Sequence, residues 1–513
     1  MKKAQVLILD YGSQYTQLLS RKVRELNIYN EVLSFETTAE ELKEYKDLKG
    51  IILSGGPSSV YEEDSYGIDQ EIFNLNVPIL GVCYGMQLIA EKFGGKVENA
   101  DAKEFGKAQL HFDNFENKLF EGLNDHKNVW MSHADHLTKI PNGFIQLAHS
   151  DSSIAAIANI EREIYAIQFH AEVTHSEEGM QMLQNFVFKI CNAQKDWNMN
   201  SFIEHQVEEI KNIVKNEEVI LGLSGGVDSS VAAALISKAI GKQLTCIFVD
   251  TGLLRKNEAK KVMENYTKLF DLNIKLIDAS QRFYSALKGI SEPEEKRKII
   301  GREFVNVFND EARKMQKAKF LAQGTIYPDV IESSSKGHSS KTIKSHHNVG
   351  GLPEDLKFEL LEPLRTLFKD EVREVGRKLG LDNSIVNRHP FPGPGLGVRV
   401  IGEVEKEKAD ILREVDDIFI TKLEQHNLYD KVSQAFATIL PVKTVGVMGD
   451  NRTYDYVVAL RSVNTIDFMT ATSTHLPWEF LDEVVNEIIN KVEGVNRVVY
   501  DITSKPPGTI EWE

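Results

Sequence analysis

An apolar run that ends in a glycine turn and continues at once as a helical pattern most constrains the fold of this chain. Val219–Leu223 predicts a buried strand, Ser224-Gly225-Gly226 a tight turn, and Ser229–Ile240 a helix. Such a turn points backbone N–H groups and the positive end of the helix at an anion. The two glycines leave room for phosphate oxygens because they carry no Cβ atom. The segment therefore predicts a phosphate-binding turn in an α/β domain.

No lysine follows these glycines, so the segment does not have the Walker pattern. The string Ser-Gly-Gly-Val-Asp-Ser-Ser at 224–230 resembles the loop of N-type ATP pyrophosphatases, which split ATP into AMP and pyrophosphate while adenylating a substrate. The resemblance implies that ATP contacts the whole loop, which comprises Ser224, Gly225, Gly226, Val227, Asp228, Ser229 and Ser230. The alternative is an ordinary strand–helix turn that binds nothing.

Length, charge and cysteine content limit the classes of protein to which the chain belongs. Its 513 residues predict about three domains. A net charge of −16 argues against non-specific binding to nucleic acid or anionic membrane. Three cysteines are too few for a disulfide framework, and no apolar run is long enough to span a bilayer. We therefore expect a cytoplasmic protein with neither a nucleic-acid nor a membrane partner.

Alternation of short apolar runs with helical patterns indicates the α/β class. We expect two doubly wound, mostly parallel-sheet domains at 1–195 and 200–390, followed by a smaller C-terminal α+β domain at 395–513. Polar Asn192–Ser201 separates the first two. His389-Pro-Phe-Pro-Gly-Pro-Gly395 separates the last two, since three prolines and two glycines continue neither a helix nor a central strand.

A cysteine flanked by glycines predicts a nucleophile. Gly81-Val-Cys-Tyr-Gly85 follows an apolar run and precedes a helical pattern, which is typical of a sharp nucleophile turn. A thiol at a helix N-terminus has a lowered pKa. His170 ends a predicted strand, and Glu172 is placed to orient it as a general base. Ser54-Gly-Gly-Pro57 ends another strand, and its N–H groups would suit an oxyanion hole.

These motifs, with Gln-Phe-His-Ala-Glu at 168–172, resemble the class I glutamine amidotransferases over roughly residues 4 to 192. That family hydrolyses glutamine through a thioester and releases ammonia. The resemblance implies roles for six residues: Cys83 as nucleophile, His170 as base, Glu172 as orienting acid, Gly56 and Tyr84 as oxyanion donors, and Gln87 as a glutamine contact. Many members have proline where this chain has Ala171, so we expect slightly less rigidity there and unchanged chemistry.

Five further stretches resemble the family of glutamine-hydrolysing GMP synthetases: Glu294–Arg302, Leu321–Ser333, Lys344–Pro353, Arg388–Leu396 and Lys505–Glu513. The resemblance implies a homodimeric enzyme that makes GMP from xanthosine 5′-monophosphate (XMP), ATP and glutamine. ATP is then a substrate used with Mg²⁺, and no tightly bound organic cofactor is expected. Implied site residues are Arg297, Lys505 and Glu511 for XMP, Gly324 and Lys344 for ATP, and Asp228 near the metal.

Three alternatives stay open at the level of the sequence. A glutamine-dependent NAD synthetase has the same kinds of domain, although the C-terminal Lys-Pro-Pro-Gly-Thr-Ile-Glu-Trp-Glu argues against it. A tRNA-modifying enzyme with the same ATP loop is disfavoured by the acidic net charge. A non-catalytic regulatory protein is disfavoured by the intact Cys83, His170 and Glu172 set.

Overall fold

A computed structural model describes residues 3–62, 65–124, 127–270, 272–315, 317–335, 358–448, 451–465 and 470–513. These residues form two compact units, one made by residues up to 202 together with 328–335, and the other by residues 203–327 and 358–513. Within the described ranges, no helix is both long enough and apolar enough to cross a membrane. Each unit is built around its own sheet system.

The first unit contains a sheet of nine strands in its described residues. In chain order they are β1 Val6–Asp10, β2 Asn30–Ser34, β3 Gly50–Leu53, β4 Ile79–Val82, β5 Lys96–Phe112, β6 Lys127–Lys139, β7 Ile145–His149, β8 Ile154–Asn159 and β9 Ile164–Ile167. The spatial order is β2-β1-β3-β4-β9-β8-β7-β5-β6. Pairing is parallel from β2 to β9 and antiparallel from β9 to β6.

Helices cover both faces of the parallel part of this sheet. The helical segments are α1 Thr16–Glu25, α2 Ala39–Leu42, α3 Tyr84–Lys92, α4 Gly179–Gln184, a 3-10 helix at Gln70–Asn74 and a π-helix at Asn185–Ile190. Val6 and Ile8 of β1 share a hydrophobic cluster with α1, whereas Leu7 and Leu9 share another with α3. A strand buried on both faces explains the continuous apolar run at this position of the sequence.

The second unit contains an all-parallel sheet with the order β12-β11-β10-β13-β14. Its strands are β10 Glu218–Leu223, β11 Leu244–Asp250, β12 Asn273–Asp278, β13 Ala318–Ala322 and β14 Glu359–Leu361. The chain leaves β10 towards β12 and later returns to β13 on the other side of β10. Such a reversal places a ligand crevice beyond the carboxyl ends of the two strands, which here are β10 and β13.

Helices connect and follow the strands of this sheet. They are α5 Met199–Val214, which contains the boundary between the units, α6 Val227–Ile240, α7 Glu258–Phe270, α8 Ser280–Leu287, α9 Pro293–Ala312, α10 Tyr327–Ser335, α11 Lys369–Lys378 and α12 Asn383–Val386. Helix α10 follows β13, and its residues from Pro328 onward are grouped with the first unit. Alanines and other small or apolar residues of α6 are buried, because the helix packs against β10, β11 and α11.

A second, mixed sheet completes this unit. Its strands are β15 Gln434–Met448, β16 Asn451–Asn464, β17 Thr472–Ser473 and β18 Val495–Asp501. The helices of this part are α13 Lys406–Gln425 and α14 Trp478–Lys491. β16 pairs antiparallel with β15 and β17 and parallel with β18. One hydrophobic cluster contains Ile247 of the parallel sheet together with Leu412 of α13 and Val458 of β16. The predicted fold class is confirmed, whereas the domain limits, including the one at 390–395, stay a prediction.

Candidate active sites

Cys83 lies on a sharp turn between β4 and α3. Its backbone has φ 52° and ψ −106°, a conformation that is costly for a residue with a side chain. A Cβ atom on Gly85 would lie 2.4 Å from the Leu53 carbonyl oxygen, and one on Gly81 would lie 2.6 Å from the Gly85 carbonyl oxygen. Glycine is therefore required on both sides of the cysteine, as the spacing in the sequence suggests.

His170 and Glu172 form a buried pair after strand β9. The Nδ1 atom of His170 lies 2.7 Å from a carboxylate oxygen of Glu172, and both side chains are almost fully buried. Burial alone would lower the pKa of His170. The charge of Glu172, together with hydrogen bonding to Cys83 and Glu172, outweighs burial and raises this pKa to about 10. Cys83, His170 and Glu172 are thus brought into one interacting set.

Replacing Glu172 with glutamine is expected to destabilise the first unit most strongly near pH 6. The pKa of His170 rises on folding from 6.5 to about 10, so protonated His170 stabilises the folded state. This contribution is complete below pH 6.5 and is lost as the pH rises through 10. Thermal unfolding of both proteins between about pH 6 and pH 10 measures it. The difference in Tm should shrink with rising pH, and a difference independent of pH would contradict the expectation.

A suitable control is Glu121→Gln, which alters an exposed carboxylate paired with Lys189 in the same unit. Exposed ion pairs contribute little to stability. The Tm of this variant should stay close to that of the wild type across the same pH range.

Two backbone N–H groups beside Cys83 are available to a ligand. Neither the Gly56 nor the Tyr84 N–H has a hydrogen-bond partner among the described residues. Gly56 is tightly enclosed, since a Cβ there would lie 2.6 Å from the Tyr11 carbonyl oxygen. Unsatisfied donors next to a candidate nucleophile suit a developing oxyanion. The Gln87 side chain donates to the Asp135 carbonyl oxygen at 3.1 Å and so lies against strand β6.

The loop after β10 folds back on itself through hydroxyl groups. Gly225 has φ +73°, and Gly226 precedes the first residue of α6. The hydroxyls of Ser224 and Ser229 lie 2.9 Å apart, and the Ser230 hydroxyl donates to the Gly226 carbonyl oxygen at 2.5 Å. The loop therefore has a fixed shape at a helix N-terminus, beyond the carboxyl end of the central strand.

Gly324 and Asp228 meet at this loop. Gly324 follows β13, and a Cβ there would lie 3.0 Å from the backbone carbon of Asp228, so the close approach favours glycine. One carboxylate oxygen of Asp228 lies 2.6 Å from Nζ of Lys369. The other is buried and has no hydrogen-bond partner among the described residues. The predicted crevice between β10 and β13 thus contains both a carboxylate and a lysine.

The C-terminal segment is held by cations of the same unit. Arg297 donates to the Glu513 backbone oxygen. Arg399 binds the Glu511 carboxylate through two hydrogen bonds of 3.0 and 2.9 Å, and Gln434 adds a third of 2.8 Å. The backbone of Lys505 pairs with that of Ala471 in both directions. Arg297 is therefore in contact with the C-terminal segment that the sequence predicts to bind XMP. Lys344, which the sequence predicts to contact ATP, lies outside the described residues.

Three family models match successive parts of the chain. Glutamine amidotransferase class-I matches residues 7–190, NAD synthase matches residues 197–438, and GMP synthase C terminal domain matches residues 421–512. GMP synthase [glutamine-hydrolyzing] from Mesoplasma florum is 70% identical over 513 residues, which is 100% of both chains. The enzyme of that name from Fusobacterium nucleatum is 63% identical, again over 100% of both.

The chain belongs to the glutamine-hydrolysing GMP synthase family. The resemblance found in its motifs is thereby confirmed, and the fold agrees with it. The match of residues 197–438 to the NAD synthase model reflects the shared ATP-pyrophosphatase domain, since the full-length relatives and the C-terminal model both indicate GMP synthase.

Several contacts around the GMP synthase sites are not predicted by any sequence motif. Arg388 donates to the Gly225 carbonyl oxygen at 2.9 Å, and Lys369 pairs with Asp228. Near Cys83, the Nε2 atom of buried His133 on β6, the strand that also carries Asp135, lies 3.2 Å from a carboxylate oxygen of Glu104 on β5. Arg388 begins the stretch Arg388–Leu396, whose resemblance to the family was the one available signal. The other contacts join residues distant in sequence.

Proposed function

We infer that this chain converts XMP to GMP with ATP and with ammonia that it releases from glutamine. The observation that carries the inference is the 70% identity to a glutamine-hydrolysing GMP synthase over the whole of both chains. The amidotransferase and GMP synthase C-terminal models agree with it at the two ends of the chain. Two chemical steps then need two sites, and the two candidate sites lie in different compact units.

In the first site, Cys83 attacks the side-chain amide carbon of glutamine and forms a thioester as ammonia leaves. His170 transfers the protons, and Glu172 orients its ring through the 2.7 Å contact. The free N–H groups of Gly56 and Tyr84 stabilise the oxyanion. Water then attacks the thioester and releases glutamate. Gln87 is proposed to contact the bound glutamine.

In the second site, the loop from Ser224 to Ser230 holds the phosphates of ATP, with Gly324 packed against its helix. An oxygen of the XMP base attacks the α-phosphorus of ATP, and pyrophosphate leaves. The adenylated oxygen is then a good leaving group. Ammonia attacks the ring carbon that bears this oxygen. AMP then departs with the oxygen, and GMP remains. Lys369 is placed to bind a phosphate oxygen, since it lies beside Asp228 at the loop.

Mg²⁺ suits the chemistry of this donor set. The buried carboxylate oxygen of Asp228 lacks a hydrogen-bond partner among the described residues, and carboxylate oxygens are preferred Mg²⁺ ligands. We propose that Asp228 and the phosphates of ATP hold the ion. Bound Mg²⁺ would neutralise charge on the leaving pyrophosphate. Lys344 is proposed to contact ATP as well, on the resemblance alone.

XMP is proposed to bind where the C-terminal segment meets α9. Lys505 and Arg297 supply positive charge for its phosphate. The carboxylate of Glu511 is occupied by Arg399 and Gln434, so we infer that Glu511 supports XMP by fixing the segment around Thr509 and Ile510.

We also propose a cytoplasmic homodimer. Val445 and Val447 on β15 and Tyr454 on β16 are 49%, 73% and 62% exposed, and Val445 lies directly opposite Tyr454 in the hairpin. Exposed apolar side chains grouped on one hairpin suit a two-fold contact surface.

The wild-type chain is expected to sediment as a dimer at micromolar concentration, and Val447→Glu is expected to shift it towards the monomer because the change buries a charge in the contact. Sedimentation velocity measures both. Phe105→Glu is the matched control, since Phe105 is 66% exposed in the other unit. A monomeric wild type would refute the proposal.

The decisive assay measures GMP, AMP and pyrophosphate from XMP, ATP and Mg²⁺, with either glutamine or ammonium as the nitrogen source. Nicotinate adenine dinucleotide and tRNA replace XMP in parallel reactions. We expect stoichiometric GMP, AMP and pyrophosphate with XMP and no amination of the other acceptors. Turnover of nicotinate adenine dinucleotide instead would favour the NAD synthetase alternative.

A further inference from the structure

Charged side chains of alternating sign connect the ATP loop to the C-terminal segment of the second unit. Arg388 donates to the Gly225 carbonyl oxygen at 2.9 Å and pairs with Glu258 at 2.6 Å. The other carboxylate oxygen of Glu258 accepts the backbone N–H of Arg255 at 2.9 Å. The first half of the connection therefore runs from the loop to the segment after β11.

The second half begins at the Arg255 guanidinium. It pairs with Asp416 of α13 at 3.2 Å. The second oxygen of Asp416 lies 3.9 Å from Arg399, and it also accepts the Ala437 backbone N–H at 3.0 Å. Arg399 then makes its two hydrogen bonds to Glu511. We call the six residues the ion chain: Arg388, Glu258, Arg255, Asp416, Arg399 and Glu511.

The ion chain is electrically balanced, and three of its members, Glu258, Asp416 and Arg399, are buried, whereas the other three are partly exposed. Arg399 is 0% exposed and Asp416 is 2% exposed, while three cations face three anions overall. The guanidinium carbons of Arg255, Arg388 and Arg399 also lie 5.0, 5.4 and 5.0 Å from the centre of the Phe391 ring. A single aromatic ring therefore holds all three arginines in place, which adds cation–π attraction to the ion pairs.

Stability alone is a poor explanation for such an arrangement. Buried ion pairs are often no more stabilising than apolar residues of similar volume, because desolvation of the charges offsets their attraction. Their geometry, however, is directional, since an arginine fork binds a carboxylate in one orientation. The ion chain thus fixes relative position better than an apolar contact would.

We propose that the ion chain sets the position of the C-terminal segment relative to the ATP loop, so that Asp416 and Arg399 are positioning residues for the adenylation of XMP. The proposal rests on the proposed function, because it takes the loop to hold ATP and the segment to hold XMP. Adenylation requires the attacking oxygen to lie about 3–3.5 Å from the α-phosphorus in the correct direction. Neither Asp416 nor Arg399 needs to touch either nucleotide for this role.

The test compares Asp416→Asn with Asp417→Asn. Asparagine at 416 retains an acceptor for the Ala437 N–H but removes the charge between the two arginines. Asp417 is the next residue of α13, about one-third exposed, and pairs only at the surface with Lys256 at 3.2 Å. Ammonium-dependent GMP formation is measured while XMP and ATP are varied separately. A second assay measures glutamate release by the first unit.

We expect Asp416→Asn to lower kcat of the ammonium reaction roughly ten- to a hundredfold and to raise KM for XMP more than KM for ATP. Asp417→Asn should match the wild type in all three constants. Glutamate release in the absence of XMP and ATP should be equal in all three proteins. A folded Asp416→Asn protein with wild-type kcat and KM, and merely a lower Tm, would overturn the proposal by showing a structural role alone.

A double-mutant cycle keeps the proposal testable if Asp416→Asn does not fold. Arg388→Lys retains the charge but cannot bind Gly225 and Glu258 together. Arg399→Lys also retains its charge but loses the two-point contact with Glu511 at the other end of the ion chain. If both act through one chain, their combined loss in kcat is clearly smaller than the product of the separate losses. Independent, multiplying losses would contradict the ion chain. A wild-type protein that makes no GMP with ammonium would instead refute the proposed function.

Discussion

Replacing Cys83 with alanine is expected to abolish GMP formation from glutamine and to leave formation from ammonium close to the wild-type rate. The thiol is the proposed nucleophile of the first unit, and the ATP loop lies in the other unit. Without the thiolate no thioester forms, so ammonia is not released. Rates with saturating XMP and ATP, measured separately with glutamine and with ammonium, give the result directly.

Cys191→Ala provides the matched control. Cys191 is also a buried, unpaired cysteine of the first unit, but its sulfur packs against Gly50 away from the turn that carries Cys83. Both nitrogen sources should support GMP formation in this variant. If folded Cys83→Ala lost the ammonium reaction as well, the assignment of the two steps to separate sites would fail.

The second large effect is expected at Lys505. Lys505→Ala should weaken XMP binding roughly ten- to a hundredfold, because a charge-assisted contact to phosphate contributes about 1.5–3 kcal/mol. ATP binding should change little. The backbone of Lys505 pairs with Ala471 at 2.9 and 2.8 Å, so the segment should keep its path when the side chain is shortened. Calorimetric titration of each nucleotide measures the two affinities.

Lys491→Ala is the control for charge, since Lys491 is an exposed lysine of the same unit paired with Glu487. It should bind both nucleotides as the wild type does. Unchanged XMP affinity in Lys505→Ala would remove Lys505 from the site. An equal loss for XMP and ATP would indicate a general disturbance of the fold.

Local patterns predicted much of the fold and the turns at the centre of each candidate site. The apolar run at Val219–Leu223 is strand β10 almost to the residue, because a strand buried on both faces must be apolar throughout. The predicted helix at Ser229 begins two residues earlier, at Val227, since a polar first turn hides the start of the helical pattern. Gly81 and Gly85 indicated the turn at Cys83, because only a residue without a Cβ atom fits at positions 81 and 85.

Contacts between distant residues could not be predicted in the same way. Strands β5 and β6 were not predicted, since β5 is 17 residues long and largely polar, and its conformation depends on pairing with β6 and β7. Arg399 appears in the sequence as an ordinary arginine, yet it is fully buried because Glu511, 112 residues away, neutralises it. Charge pairing across such separations leaves no periodic signal in a single sequence.

The positive φ of Cys83 has an evolutionary consequence. Strained backbone of this kind costs on the order of 1–3 kcal/mol, and glycine is the residue that adopts it without strain. With Cys83 as the proposed nucleophile, folding stability and glutamine hydrolysis therefore favour different residues at this one position. A descendant supplied with abundant free ammonia is therefore expected to gain stability by a change from cysteine to glycine at 83.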